Sequence, residues 1–374
     1  MRLGKSSMVI IGTFVLILMF LLILVGIGHS KSSPEHLLQS FKETIKTNDA
    51  SALKQLLISD NKSAEITKSS SQALLNYLRT HKGAYREITD SLTKAAQTKK
   101  LDSDGVLSIT QQGRRYLLFK NYKLKLQTQP ITVTGLRKGE QLALNADQQG
   151  IAHKGTKYGR ILPGTYVLQK QLTNDLGIFV KKEKIAVWDQ PITIDVNSAA
   201  WIARDASVQK AVIERINQFN SEVSIWETSE YVPTKLPSAS EQFKKTQSAA
   251  RMMQFEQIKG QLDEVQSAYL GMVVDPDSLT LTHFGDQWNA SVDTVVSYKY
   301  GYKLKKEKQM KDDSYQRGIN FRLVYDKNQK RWLVNGISDN YITLQTASLW
   351  THKKKLSVPN PVVHTWPADK QPNL

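Results

Sequence analysis

RYLLFKNYKLKLQ, residues Arg115–Gln127, alternates apolar and polar side chains with a period of two. That is the pattern of a half-buried strand. The chain before it has another period. Ser33-Pro34 reads as an N-cap and first helical residue. Leu37, Leu38, Phe41 and Ile45 then fall on one helical stripe, which Asn48-Asp49 breaks. ASALKQLL (Ala50–Leu57), SQALLNYL (Ser71–Leu78) and the segment Tyr85–Ala96 add three more helices, so residues 34–114 are expected to form a small helical domain. From residue 115 to 190 strands and glycine punctuation dominate. Ile131–Thr134 and Leu142–Leu144 are short strands. Pro163-Gly164 turns the chain into a strand with Tyr166, Leu168 and Leu172 on one side, and Gly177 turns it into Ile178–Trp188. This predicts an all-β, sandwich-like module.

Beyond residue 196 the helical period returns. Trp201, Ile202, Val208, Val212, Ile216 and Phe219 mark a helix over Ala199–Glu227, and Glu241–Gly271 reads as another, with Pro233 and Pro237 between them. Ser278–Phe284, Trp288–Lys308, Tyr315–Tyr325 and Arg331–Ile337 read as a curved antiparallel sheet, with a hairpin turn at Asp326-Lys327-Asn328. Helices followed by a meander sheet predict an α+β domain over 196–350, then a basic, proline-containing, extended tail over 351–374.

At the other end, Val9–Ile27 (VIIGTFVLILMFLLILVGI) carries no charge. A bilayer core of about 30 Å needs roughly 20 apolar residues as a helix, which residues 8–28 supply. Arg2 and Lys5 precede the run, so the positive-inside rule keeps residues 1–7 cytoplasmic and places everything after the linker 29–33 outside. A cleaved signal peptide would share the basic start. Its apolar core is usually shorter, at about 7–15 residues, and Gly28-His29-Ser30 is a weak cleavage pattern. The expectation is a single-pass membrane protein with a multidomain α+β ectodomain in the cell envelope, touching the lipid bilayer through residues 8–28.

The chain has no Cys, which excludes a disulfide scaffold, a thiolate zinc site and a cysteine nucleophile. Its net charge is +17, and removing Arg2 and Lys5 leaves +15. Such a surface concentrates anions. For an exported protein these are teichoic-acid phosphates, peptidoglycan carboxylates or lipid headgroups, and no nucleic-acid partner is expected. The anion-binding candidates are Lys303, Lys305, Lys306, Lys308 and Lys311, with Lys353, Lys354 and Lys355. The aromatics Trp288, Tyr298, Tyr300 and Tyr302 lie on the expected cone strands and are the candidate pocket.

Three segments in order carry a family resemblance: HLLQSFKETIKTNDASALKQLLIS (His36–Ser59), YLLFKNYKLKLQTQPITVTG (Tyr116–Gly135) and ILPGTYVLQKQLTNDLGIFVKKEKIAVW (Ile161–Trp188). The chain resembles the TcaA family of Firmicute membrane proteins, with its YvbJ-type relatives. The resemblance implies an extracellular helical domain, a PEGA-like β module and a closing nuclear-transport-factor-2-like cone. It also implies an envelope role in cell-wall homeostasis and glycopeptide response, with no known catalytic activity. Many members begin with a cytoplasmic zinc ribbon, and the lack of Cys here means that nothing assigned to that ribbon carries over.

No catalytic constellation stands out, and no catalytic, cofactor-binding or metal-ligating residue is assigned. Ser59-Asp60-Asn61-Lys62 matches the S-x-x-K of penicillin-recognising enzymes, whose other motifs lie elsewhere in the chain. The same pattern recurs at Ser91–Lys94 and Ser207–Lys210. LPGT at Leu162–Thr165 is a turn rather than a sorting signal. The seven histidines include no short-spaced pair, and Asp275-Pro276-Asp277 reads as a turn. The expected function is therefore non-enzymatic binding of an anionic wall polymer, peptidoglycan or a membrane protein. The alternatives are a wall-modifying enzyme with its site in the cone, and a structural spacer.

Overall fold

The computed structural model describes residues 32–102, 104–115 and 119–372. The expected cytoplasmic stub and membrane anchor lie outside the described residues. Among those described, no helix is long and apolar enough to cross a membrane. The chain forms two compact units, divided near residue 196, with Asp175–Phe179 grouped with the second.

The first unit opens with α1 (Pro34–Thr47), α2 (Ala50–Leu56), β1 (Leu57–Ser59), α3 (Lys68–Thr80) and α4 (Lys82–Thr98). The Ser33 side chain caps α1 by accepting from the His36 backbone N–H at 3.2 Å, and Asp49 caps α2 in the same way. Then come β2 (Leu107–Arg115) and β3 (Phe119–Leu126), which with β1 make a sheet of order β1-β3-β2. Ile109, Leu124 and Leu126 are buried in one cluster with Phe41, Leu53 and Leu75 of the helices. This corrects the expected boundary between residues 114 and 115. The alternating stretch is a strand, but its apolar side completes the helical domain's core instead of starting the next module.

The β module follows: β4 (Gln129–Thr134), β5 (Gln141–Ala146), β6 (Gln149–Ile151), β7 (His153–Lys154), β8 (Lys157–Ile161), β9 (Gly164–Asn174), β10 (Gly177–Val187) and β11 (Ile192–Asp195). They form two four-stranded sheets, β10-β9-β5-β6 and β11-β4-β8-β7. Tyr166, Leu168 and Leu172 share the buried side of β9, as their spacing predicts. Gly164 has φ +157°, and a Cβ there would lie 2.7 Å from the Ala73 carbonyl carbon of α3. Helix and strand touch backbone to backbone at that point, which only glycine permits.

The second unit contains α5 (Ser198–Ala203) and α6 (Ala206–Glu227). Next is a broken helix: α7 (Glu241–Phe243), a π-helical turn (Lys244–Ser248) and α8 (Ala249–Lys259). The strands are β12 (Leu262–Val274), β13 (Thr280–Phe284), β14 (Gln287–Leu304), β15 (Lys311–Asp312), β16 (Tyr315–Asp326) and β17 (Arg331–Asn340). A short α9 (Leu344–Ser348) precedes β18 (Lys354–Ser357) and β19 (His364–Trp366). The sheet order is β17-β16-β14-β12-β18, with β13 and β15 on β14 and β19 on β12. Phe219 of α6 meets Phe243 and Phe321 edge-on, at centroid distances of 5.4 and 6.0 Å.

Two expectations change here. The helix predicted to run to Gly271 stops at Lys259, and residues 262–274 are a central strand. Both faces of β12 are largely buried, so the strand lacks the alternation that would have revealed it. The tail is extended as expected, but it is not free. β18 pairs Gly271–Val274 and β19 pairs Val265–Ser267, so both hold the outer edge of β12.

Candidate functional site

α6 presents a stripe of Ile216, Phe219, Val223 and, one further turn on, Glu227. Ile216 and Phe219 are buried, and Phe219 and Val223 border the cavity that follows. Glu227 ends the helix in a cavity of about 440 Å³ between α6, the π turn and α8 on one side and β14 and β16 on the other. Tyr298 and Tyr300 of β14, Tyr315 and Arg317 of β16, and Arg251 of α8 surround it. The rings pack on each other, Tyr298 stacking on Tyr315 at 5.1 Å, and the Arg317 guanidinium lies 4.6 Å above the Tyr315 ring.

Glu227 accepts a hydrogen bond from Ser267 Oγ at 2.6 Å and lies 3.5 Å from the Tyr315 hydroxyl. Burial pushes its carboxyl up to about 7, against the opposing pull of those two hydrogen bonds and of the Arg251 and Arg317 charges. Burial likewise raises the Tyr300 and Tyr315 hydroxyls well above the ordinary range, with Glu227's charge adding to it, so both are neutral donors at physiological pH. Trp226 also borders the cavity, and its buried Nε1 has no acceptor among the described residues. Beyond α6, Glu230 and Tyr231 both have positive φ, +58° and +61°. Two such non-glycine residues in succession are strained, and this corner sets Tyr231 edge-on against Trp226 at 4.8 Å. Glu222, the other buried acid of α6, is a tether: it accepts from the Ser238 N–H at 2.9 Å and from Ser238 Oγ at 2.7 Å.

Of the four aromatics proposed for the pocket, Tyr298 and Tyr300 line the cavity. Trp288 does not. It is 2% exposed in the core at the far end of β14, against the His283 ring at 4.7 Å. Tyr302 lies beyond the cavity in a satellite cluster with Phe255, Leu262 and Trp366. The sequence reading overlooked Glu227, Arg251 and Arg317. An acid continuing an apolar helical stripe was the available signal for Glu227.

The lysines do not form one patch. Lys303 pairs with Asp263 at 2.9 Å, Lys311 with Glu307 at 2.8 Å, and Lys305 donates to the Gly260 carbonyl at 3.0 Å. Lys306 and Lys308 are exposed. Lys353 donates to the Ser348 carbonyl, and Lys354 and Lys355 sit on β18. Lys303 is in register with Glu264 and Lys354 with Val274. Ten residues of β12 thus separate the two groups, roughly 33 Å of strand.

The S-x-x-K at Ser59 is a turn, in which Ser59 Oγ donates to the Asn61 carbonyl at 2.8 Å. Asp275 accepts from the Asp277 N–H at 3.0 Å, so D-P-D also turns the chain. Among the described residues no three His, Cys, Asp or Glu side chains are placed to hold a metal ion.

Comparisons with known proteins agree with this division. Residues 34–126 match the TcaA protein second domain, a span that ends where β3 ends. Residues 212–338 match the YvbJ NTF2-like domain, which holds most of the cavity. The membrane protein YvbJ of Bacillus subtilis (strain 168) is 26% identical over 173 residues. That match covers 45% of this chain and 28% of YvbJ. The solved intermembrane space region of the chloroplast protein ARC6 aligns with 36% of this chain and 95% of its own, at 14% identity and a TM-score of 0.27, which is too low to inform the fold. Two family-domain matches in chain order and one related sequence support a TcaA/YvbJ-like assignment for this chain.

Proposed function

We propose that this chain is a single-pass envelope membrane protein, facing outward, whose NTF2-like unit binds an oxygen-rich, anionic wall component without turning it over. Through that binding it influences wall homeostasis and the glycopeptide response. The membrane location is supported by the apolar run before residue 28 and by the relative's description as a membrane protein. The observation that carries the binding reading is the make-up of the cavity. Tyrosine faces, two arginines that form no ion pair among the described residues, and the orphan Trp226 N–H offer stacking surface and donors to a ligand rich in acceptors, while Asp313 and Asp339 on the same lining leave the anion's place to the arginines. The same geometry argues against the enzyme alternative. Ser267 and Glu227 stand at nucleophile–base distance, but Ser267 is 0% exposed and out of a substrate's reach.

The test is binding of the purified full chain to wall fragments with and without teichoic acid, across salt, alongside Arg251→Ala/Arg317→Ala. Expected is salt-sensitive binding to teichoic-acid-bearing wall that falls at least tenfold in the double variant. Equal binding to both wall preparations would overturn the anionic ligand. Sugars or peptides released during incubation would establish the enzyme.

A further inference from the structure

We infer that the end of the first unit where the β2–β3 hairpin pairs Arg114 with Lys120, its closed end, rests on anionic lipid headgroups of the bilayer that anchors the chain. This rests on the anchoring reading above, and two independent observations support it.

The first is charge. A cavity of about 460 Å³ opens between the start of α1 and the hairpin, bordered by Ser33, His36, Arg114, Lys120 and Lys123. The register pairs Arg114 with Lys120, which sets both cations side by side at this end of the sheet. Both are exposed, and Lys123 reaches the Gln55 carbonyl of α2. Among the described residues no acid lines the cavity. Glu35, the acid in the first turn of α1, is exposed outside it. The three residues joining β2 to β3 lie outside the described residues.

The second is reach. Ser33, the N-cap of α1, is only five residue steps beyond Gly28, the end of the apolar run. Fully extended they span at most about 17 Å. The headgroup layer itself occupies several ångströms beyond the hydrocarbon core, so the start of α1 is held at or just above it. A basic, acid-free concavity at that height meets phosphates, and juxtamembrane Lys and Arg are attracted to anionic leaflets. The opposite end of the sheet, where β1 runs into Asn61-Lys62, is six residues further along β3 and faces away.

The absence of native cysteine makes the test direct. Single cysteines at Gln112, exposed beside the basic end, and at Lys62, exposed at the opposite end, are labelled with an environment-sensitive dye in the full-length chain. The chain is reconstituted in phosphatidylcholine vesicles with or without phosphatidylglycerol and with headgroup nitroxide lipid. Expected is quenching several-fold stronger at residue 112 than at residue 62 in the anionic vesicles. The difference should collapse in high salt and in Arg114→Glu/Lys120→Glu. Equal quenching at the two sites, in protein that survives an alkaline carbonate wash, would overturn the inference while leaving the anchor intact. Quenching at residue 112 that ignores salt and lipid charge would overturn the electrostatic attribution. Loss of the protein to the wash would remove the anchoring reading and this inference with it.

Discussion

Glu227 carries a cost that depends on pH. Its carboxyl is pushed up to about 7 in the fold from an ordinary 4.5. As pH rises from 4.5 to 7 the unfolded chain gives up this proton first, so the folded state loses stability through that window. Below it both states are protonated, and above it the penalty is constant. Glu227→Gln should therefore stabilise the second unit by on the order of 2 kcal/mol at pH 8 and leave it nearly unchanged at pH 4. Denaturant unfolding at the two pH values checks this. An equal gain at both would assign the effect to packing instead of charge. A residue retained against such a cost is a reason to look for a ligand beside it, and Arg251 and Arg317, without an ion pair among the described residues, and the orphan Trp226 N–H stand in the same cavity.

Elements differ in how openly their sequence declares them. β14 alternates from Trp288 to Tyr302 because one side faces the helices, and its strand character was plain. β12 is largely buried on both sides and follows directly on α8; its stretch Leu262–Val274 mixes Asp263, Glu264, Gln266 and Ser267 with apolar residues and shows no period of two, so it imitated a continuing helix, and the Gly260-Gln261 break was the one cue. Arg115–Gln127 was legible as a strand but not as part of a particular domain, because alternation says which side is buried and not against what. The cavity was half legible. The tyrosines announce themselves on a strand, whereas Arg251 and Glu227 come from different helices that only the tertiary fold brings together.

The edge of β12 offers two predictions. Gly271 has φ +130°, and a Cβ there would lie 2.2 Å from the Leu356 carbonyl oxygen of β18. Gly271→Ala should thus cost about 2–4 kcal/mol in denaturant unfolding. The β19 clasp is held by Trp366, whose ring meets Phe255 edge-on at 5.2 Å and whose Nε1 donates to Glu230 at 3.0 Å. Trp366→Ala should cost about 3 kcal/mol. It should also raise hydrogen exchange at Val265–Ser267 ahead of the rest of β12. Uniform exchange along the strand would show that the two clasps act as one.

At the scale of the molecule, two units follow an apolar run of membrane-spanning length. The full chain should stay in the membrane pellet through an alkaline carbonate wash, and protease added to intact protoplasts should remove the units. Protection from protease would reverse the proposed orientation. The +15 carried after the run is distributed, since the lysine tracts on β14–β15 and on β18 stand far apart and Lys303 and Lys311 of the first are paired with Asp263 and Glu307.

β18 and β19 are the last strands of their unit to leave the ribosome, yet they cover a strand made almost a hundred residues earlier. Until they emerge, β12 shows a border of unpaired backbone N–H and C=O groups to whatever is nearby. A chain interrupted near residue 350 would hold the whole cavity and still be unable to shield that border. Premature termination there should yield clumping or rapid disposal by quality-control proteases, not a smaller working receptor.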